Sequence, residues 1–401
     1  MMQVQNKRSR FQLPLLLIHT IIFSLLSGCA GTGSFRWPEA NPFQATALPA
    51  SLGAEIPNAK SVRIAFTSNV MGEVEACGCA VGPKGGLDRR LNFIDMKLKP
   101  EASSWPYLIL DAGNSVLATS SLDAARRDSY MKVAKELLKA HKSMGVQVQN
   151  VAYLDLGFGL KFFQEAAKEA ELPLISATWM DASGKLVFEP SIMLDAGGEK
   201  VLVIGVSGGL DQNSDGLQSK DPVQAIADAV AAHPKYDGPV VVLSDLGLIR
   251  DEEVAKHRSL SGLPLVFVGS RDLGGLALPK QGKHSLHVQS EFRGQQWGLL
   301  DLKYVPGGNR WVNLEKMSEL TAKWDSLIER RKRARDQLKQ SRDWKLEDAR
   351  LASTAKDLVE YAPGKPGTNS FYNYELINLD TRYQKRNRLT SKMNYLIDVK
   401  K

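Results

Sequence analysis

Apolar residues recur along the chain in short runs of strand character, separated by stretches with helical spacing. Val62-Arg63-Ile64-Ala65-Phe66 reads as a strand, and Gly85 to Lys97 as a helix with Leu87, Leu91, Ile94 and Met96 on one side. Tyr107-Leu108-Ile109-Leu110 is a buried strand that ends at Asp111-Ala112-Gly113-Asn114. Residues 122–143 have the pattern of a strong amphipathic helix, followed by strands at Val146 to Val151 and Pro173 to Ser176 around a helix at 160–170. The alternation continues with strands at 200–206, Val240 to Ser244 and Leu265 to Gly269, and helices at 222–232 and 250–258. Continuous Val, Ile and Leu runs mean strands covered on both faces, so the pattern predicts an α/β layered sandwich. His284 to Gln289 and Trp297 to Tyr304 read as late, antiparallel strands.

Beyond residue 305 the pattern changes. Met317, Leu320, Trp324, Leu327, Ala334 and Leu338 recur near helical spacing around Arg330-Arg331-Lys332-Arg333-Ala334-Arg335, which predicts one or two long polar helices within 314–358. After Pro363-Gly364-Lys365-Pro366-Gly367 comes a short aromatic strand, Phe371 to Leu379. The expected organisation is a leader over 1–28, a tether over 29–60, a main domain over 61–305, a charged helical extension over 306–361, and a linker and tail over 362–401. The tether is Ala-, Pro-, Gly- and Ser-rich and lacks periodicity.

The leader changes the picture of where the protein works. Lys7, Arg8 and Arg10 precede an apolar run from Leu13 to Leu26, too short for a membrane span, and then Leu26-Ser27-Gly28-Cys29. This resembles a bacterial lipobox. The resemblance implies that the Cys29 thiol receives a diacylglycerol and holds the mature chain on a membrane surface. Ala30, where an Asp is absent, implies sorting to the outer membrane on its periplasmic side.

Charge separates the main domain from its extension. The net charge of +8 falls to +5 without Lys7, Arg8 and Arg10, and residues 312–401 alone hold 20 Lys and Arg against 13 Asp and Glu, or +7. The rest of the mature chain is then near −2, which excludes a nucleic-acid-binding core. The Arg330–Arg335 run is a solvated helix face or a surface for an envelope protein or anionic headgroups. Besides Cys29 the chain has only Cys77 and Cys79. In an oxidising compartment these can form a disulfide, remain paired thiols, or bind a soft metal, although two thiolates fall short of a structural zinc site.

The loops that end the strands should build the site, because ligands of open α/β sheets gather at strand carboxyl ends. Cys77-Gly78-Cys79, Gly85-Gly86-Leu87-Asp88-Arg89-Arg90, Gly113-Asn114, Ala152-Tyr153-Leu154-Asp155, Leu243-Ser244-Asp245-Leu246-Gly247 and Gly269-Ser270-Arg271-Asp272 follow one another in that order. Over about residues 61–305 this series resembles the 5′-nucleotidase branch of the calcineurin-like metallophosphoesterases, closest to the members with a Cys-Gly-Cys loop. The tail from Asn369 resembles a segment that precedes the cytochrome part of some multihaem relatives, but no Cys-x-x-Cys-His occurs, so no haem is implied.

The resemblance implies an α/β/β/α fold with mixed sheets. In such enzymes it also implies two divalent metals that activate a water. The ligand positions fall on Asn69, Met71, Asn114, Tyr153, Asp245, Ser270 and Asp272, and the catalytic histidine on Leu154. None of these side chains is the ligand the family requires. The expectation is therefore a catalytically inactive relative that binds or scaffolds in the cell envelope. The alternative is a metal-dependent phosphohydrolase with an altered oxygen-rich site, in which Asn69, Asn114, Asp245 and Asp272 converge on Mg²⁺ or Ca²⁺. No cofactor is otherwise expected. His284 and His287 are assigned to surface or core. Gly85 and Gly86 with Arg89 and Arg90, at a helix start, form a candidate anion site.

Overall fold

The computed structural model describes residues 59–77, 82–102, 106–119, 123–208, 216–308, 310–337, 350, 353–354 and 369–400. The leader, Cys29 and the tether up to residue 58 lie outside them, as does Cys79, and Lys60, assigned to the tether, opens the first strand. Contacts divide the chain into two units. One comprises Asn58–Lys316 and Pro366–Lys401, the other Met1–Pro57 and Met317–Lys365.

Two large sheets form the first unit. The seven-stranded sheet is centred on β1 (Lys60–Thr67), with β2 (Tyr107–Asp111), β3 (Val148–Asn150) and β4 (Leu174–Ile175) running parallel on one side. On the other side β13 (Gln296–Tyr304) pairs antiparallel with β1, bringing Ile64 opposite Leu300. β15 (Asn369–Asn378) is inserted between β13 and β14 (Arg310–Asn313). The six-stranded sheet has β7 (Lys200–Ser207), β9 (Val240–Asp245), β10 (Leu265–Gly269) and β12 (Ser285–Val288) in parallel. Antiparallel edge strands β6 (Ser191–Asp195) and β11 (Lys280–Gln281) close it. A two-stranded pair, β5 (Trp179–Met180) and β8 (Gln218–Ser219), stands apart.

The side-chain period of two divides each strand between two cores. Ile64, Phe66, Leu108 and Leu110 meet Val241, Leu243, Val266 and Val268 between the sheets. On the outer face of the first sheet, Ala65 and Trp297 pack against two helices. α1 begins as Leu87–Phe93 and runs on through a π-helical turn, Ile94–Leu98, to Lys99–Ala102. α2 (Arg127–Met144) buries Val133, Leu137, Ala140 and Met144, one helical turn apart. α3 (Leu160–Glu169) packs against a neighbouring cluster with Phe163 and Trp179. The outer face of the second sheet offers Leu202, Ile204, Val240, Val242, Leu265 and Phe267 to α4 (Pro222–Ala231) and α5 (Leu248–Ala255). The order helix, sheet, sheet, helix is the expected α/β/β/α sandwich of mixed sheets.

Some expectations change. β12 is parallel to β10 rather than antiparallel, because a segment with its own short edge strand β11 intervenes and returns the chain to the same end. Residues 310–313, assigned to the helical extension, form strand β14. The tail is no appendage: β15 pairs with β13 from Gln296↔Asn378 to Lys303↔Phe371. After β15, α7 (Thr390–Lys400) places Leu396 in the core beneath α1 and α2. Alternation of Phe371, Asn373, Glu375 against Tyr372, Tyr374, Leu376 explains why so short a segment can enter a sheet. In the second unit, α6 (Leu314–Gln337), which begins at the boundary, is the predicted polar helix, and Arg330 and Arg333 are exposed on it. Among the described residues no helix is long and apolar enough to cross a membrane.

Candidate functional site

The loops after β1, β2, β3, β9 and β10 meet at the carboxyl ends of those strands. Backbone hydrogen bonds hold the first two loops side by side: Asn69 N donates to Gly113 O at 3.0 Å, Met71 N to Asn114 O at 2.9 Å and Gly72 N to Ser115 O at 2.9 Å. Asn69, Met71 and Asn114 adopt φ of 53°, 56° and 56°, a left-handed conformation uncommon outside glycine and tolerated best by Asn. Gly113 is required where it stands, since a Cβ there would come within 2.5 Å of the Ala152 Cβ.

Asn114 is the hub. Its side-chain Nδ2 donates to Asp245 Oδ1 at 2.8 Å, to the Ser270 carbonyl at 3.1 Å and towards Asn69 Oδ1 at 3.3 Å. Its Oδ1 accepts from Leu154 N at 3.1 Å. The amide can have only this orientation, because a flip would face its oxygen against those same acceptors. Asp245, which is buried, has its other oxygen occupied by Tyr153 N at 2.7 Å and Arg271 Nη2 at 3.3 Å. Burial raises the Asp245 pKa, while the Arg271 charge, the Tyr153 amide and the Asn114 side chain pull it back. Arg271 also donates from Nε to the Asp245 carbonyl at 2.8 Å and from Nη2 to the Gly208 carbonyl.

The expected positions separate into those that converge and those that do not. Asn69, Asn114, Asp245 and the backbone of Ser270 meet. Asp272 supplies only its carbonyl, which accepts from Asn69 Nδ2 at 2.8 Å. Its carboxylate turns outward and accepts from Leu248 N at 2.8 Å, where it complements the start of α5. The four-residue oxygen cluster proposed for a hard cation is thus not assembled, and Arg271 pairs with Asp245 instead of Asp272. Ser270 Oγ is engaged by the Ser244 carbonyl at 3.2 Å. Tyr153 and Leu154 lean on the apolar cluster around Phe163, so the position of the family's catalytic imidazole is a hydrophobic contact. Met71 is buried and has no charge to offer.

A metal pair does not fit this set. A cation needs converging lone pairs, and here N–H donors point at the space where lone pairs would have to point. Among the described residues no three His, Cys, Asp or Glu side chains are arranged around a common point.

Asp155 organises the crevice in a way its sequence position did not reveal. Its carboxylate accepts from the backbone N–H groups of Ser115 at 2.7 Å, Asn114 at 2.9 Å, Val116 at 3.2 Å and Ala152 at 3.2 Å. Burial pushes its pKa up to about 7 and the neighbouring Asp111 adds to this, against the pull of the amides. An acid one residue past the position where the resemblance places a catalytic histidine was the available signal.

The candidate anion site at Gly85, Gly86, Arg89 and Arg90 is overturned by burial. Leu87 N is taken by Val74 O at 3.0 Å, Arg89 N by Asp88 Oδ1 at 2.8 Å and Arg90 N by Gly86 O at 3.0 Å. Arg89 reaches the Pro83 carbonyl and Gln384. Arg90 is 1% exposed and donates from both terminal nitrogens to His141 Nε2 at 3.2 Å. His141 Nδ1 lies 3.3 Å from Gln149 Oε1 and 3.7 Å from Asp111. Burial lowers the His141 pKa to about 3, so it stays a neutral acceptor for the arginine. These arginines brace α1, α2 and the sheet. Cys77 is half-buried and accepts from Lys84 N at 3.2 Å; its expected partner Cys79 is outside the described residues.

No family profile and no curated protein matches the chain. Solved structures do. It is similar to a calcineurin-like phosphoesterase, YfkN, from Bacillus subtilis, at a TM-score of 0.55 and 12% identity over 86% of this chain and 100% of that one. The sulfate thiohydrolase SoxB of Thermus thermophilus, in complex with glycerol, aligns at 0.52 and 16% identity, covering 61% of this chain and 54% of that one. A 5′-nucleotidase precursor, also from Thermus thermophilus, aligns at 0.50 and 21% identity, covering 61% of this chain and 52% of its own. The chain therefore spans about half the length of these two Thermus proteins. Together with the two-sheet sandwich and the loops gathered at its strand ends, these likenesses show that the chain has the metallophosphoesterase fold of the 5′-nucleotidases and calcineurin-like phosphoesterases.

Proposed function

We propose that this chain is a lipid-anchored envelope protein that keeps a phosphoesterase fold as a binding scaffold and does not hydrolyse phosphoesters through metals. The observation that carries the reading is the Asn114 amide, whose nitrogen faces Asp245, Ser270 and Asn69 at the crevice floor. A bridging carboxylate would supply negative charge there, and the amide supplies N–H groups instead. Arg271 then neutralises Asp245, the acid that faces this amide. Loss of a single ligand lowers affinity or activity by ~10–100-fold, and here the set is replaced by donors. The leader ending in Leu26-Ser27-Gly28-Cys29 supports anchoring through Cys29, at the outer membrane by the Ala30 rule. The exposed Arg330 and Arg333 support a role for the basic helix in meeting an envelope protein or anionic surface.

The test is elemental analysis of the full chain in detergent, with bis(p-nitrophenyl) phosphate hydrolysis measured in added Mn²⁺, Zn²⁺, Mg²⁺ and Ca²⁺. Metal well below one per chain and no turnover above the metal-only rate are expected. Stoichiometric Mn, Fe, Zn or Co with turnover abolished by Asp245→Ala would overturn the reading.

A further inference from the structure

Away from the crevice, a cavity of about 560 Å³ opens between the end of α5, the turn at Arg258–Leu260, and the β11–β12 hairpin. It sits near the amino ends of β10 and β12, whereas the crevice sits at the carboxyl ends. Its rim carries Lys256, Arg258, Lys280 and Lys283 against one acid, Glu252. Glu252 lies 3.4 Å from Lys256 and 3.4 Å from Lys280, and so holds both lysines in place. Arg258 and Lys283 are exposed and form no ion pair among the described residues.

The floor is unusual for this sheet. Most of its other helix-facing positions are apolar, such as Ile204, Val242 and Phe267. On β12 the same face carries Ser285 and His287. His287 is 1% exposed, and its ring stacks on Phe267 with centroids 4.9 Å apart. Nε2 is 2.9 Å from Ser285 Oγ, while Nδ1 has no hydrogen-bond partner among the described residues. Burial lowers its pKa to about 4. A buried polar atom left unpaired is unfavourable, and so are surplus cations around one cavity. An anion carrying acceptor oxygens relieves both.

We propose that this cavity is a binding site for a small soluble polyanion of the phosphate class, a pyrophosphate or a phosphorylated metabolite up to nucleotide size. Arg258 and Lys283 grip the anion, Lys256 and Lys280 add charge, and the His287 ring, whose Nδ1 is sealed below the surface, turns to donate at the floor. The volume lies within the range of small-molecule sites. A rival explanation is that lysines on an edge strand block sheet-to-sheet pairing. That role explains Lys280 on β11 but neither Arg258 nor the buried His287, and it predicts no saturable ligand.

The experiment uses the full chain in detergent, titrated with inorganic pyrophosphate by calorimetry at low salt, and separately with vesicles of phosphatidylglycerol in phosphatidylcholine. One pyrophosphate per chain is expected. Arg258→Ala with Lys283→Ala, both exposed and so harmless to the fold, should weaken binding at least tenfold. His287→Gln should weaken it several-fold, and the His287 ring signals should shift on titration in the unsubstituted chain. Absence of saturable pyrophosphate binding overturns the proposal, as does binding unchanged in the double variant. Attachment that is stronger to vesicles containing phosphatidylglycerol than to pure phosphatidylcholine and is lost in the double variant, without pyrophosphate binding, also overturns it, by assigning the cations to a lipid surface.

Discussion

At the carboxyl ends of β9 and β10, Asp245 is ringed by N–H groups and an arginine. Near the amino ends of β10 and β12, lysines and an arginine outnumber a single glutamate above a histidine with one nitrogen unpaired. One sheet thus carries a crevice where Asn114, Asp245 and Arg271 satisfy one another, and a cavity whose cations and histidine do not. The first resembles a hydrogen-bonded core that happens to face an opening. The second holds uncompensated charge, which is what a ligand needs to find. The fold alone does not say which of the two openings binds a ligand; the pairing state of the side chains separates them.

The comparison can be broken most sharply at Asp155. Asp155→Ala leaves the amides of Asn114, Ser115, Val116 and Ala152 without their acceptor. A loss of ~3 kcal/mol or more is expected in urea unfolding, since each buried orphan costs ~1–3 kcal/mol. Little loss would mean that the crevice loops are not a closed network.

A middle-sized effect is expected from Asn114→Asp. The new carboxylate would stand 2.8 Å from an Asp245 oxygen in a buried site. Two acids so close must share a proton, so the loss of stability should be ~2 kcal/mol near pH 8 and shrink toward pH 5. Added Mn²⁺ should raise the melting temperature of this variant and leave that of the unsubstituted chain unchanged. Equal stabilisation of both would show that the crevice already grips cations.

The smallest effect falls on His287→Leu, and its sign is informative. Removing a buried imidazole with an unpaired nitrogen should change stability at pH 7 by less than ~1 kcal/mol, because a leucine fills the space on Phe267. The unfolded histidine binds its proton near pH 6.5 and the folded one only near 4. Stability held by the neutral form is therefore lost as the pH falls from about 6.5 to about 4. The leucine variant should show a shallower acid slope over that window in thermal melts than the unsubstituted chain. His141, whose pKa is also depressed, and the buried acids Asp111, Asp155 and Asp251, whose raised pKa values act with the opposite sign, contribute equally to both chains. An unchanged slope would sharpen the comparison differently, by showing that the cavity floor is wetter than its burial indicates.

Much of the sandwich was legible because β-branched runs such as Val240-Val241-Val242-Leu243 admit only a strand covered on both faces. The convergence of Asn69, Asn114 and Asp245 was implied by the loop-by-loop resemblance to the 5′-nucleotidase branch. Direction was less legible: nothing local to Asp272 says that its carboxylate turns to α5, or that Arg271 turns inward. Arg89 and Arg90 misled because adjacent arginines after a Gly-Gly pair look solvent-facing, and their burial depends on Gln384 and His141, far away in sequence. β14 was hidden by its brevity, Arg310–Asn313, beside a long polar helix. His287 could be placed on a strand but not given an unpaired nitrogen, which is a property of neighbours.

The position of β15 has a consequence for how this protein is made. Its residues 369–378 sit one strand in from the edge of a sheet, bonded to β13 on one side and β14 on the other. Until that segment leaves the ribosome, β13 presents a bare row of amides and carbonyls to its surroundings. Assembly must wait for late-synthesised residues, so a chaperone that shields this gap during synthesis would govern yield more than any local helix propensity.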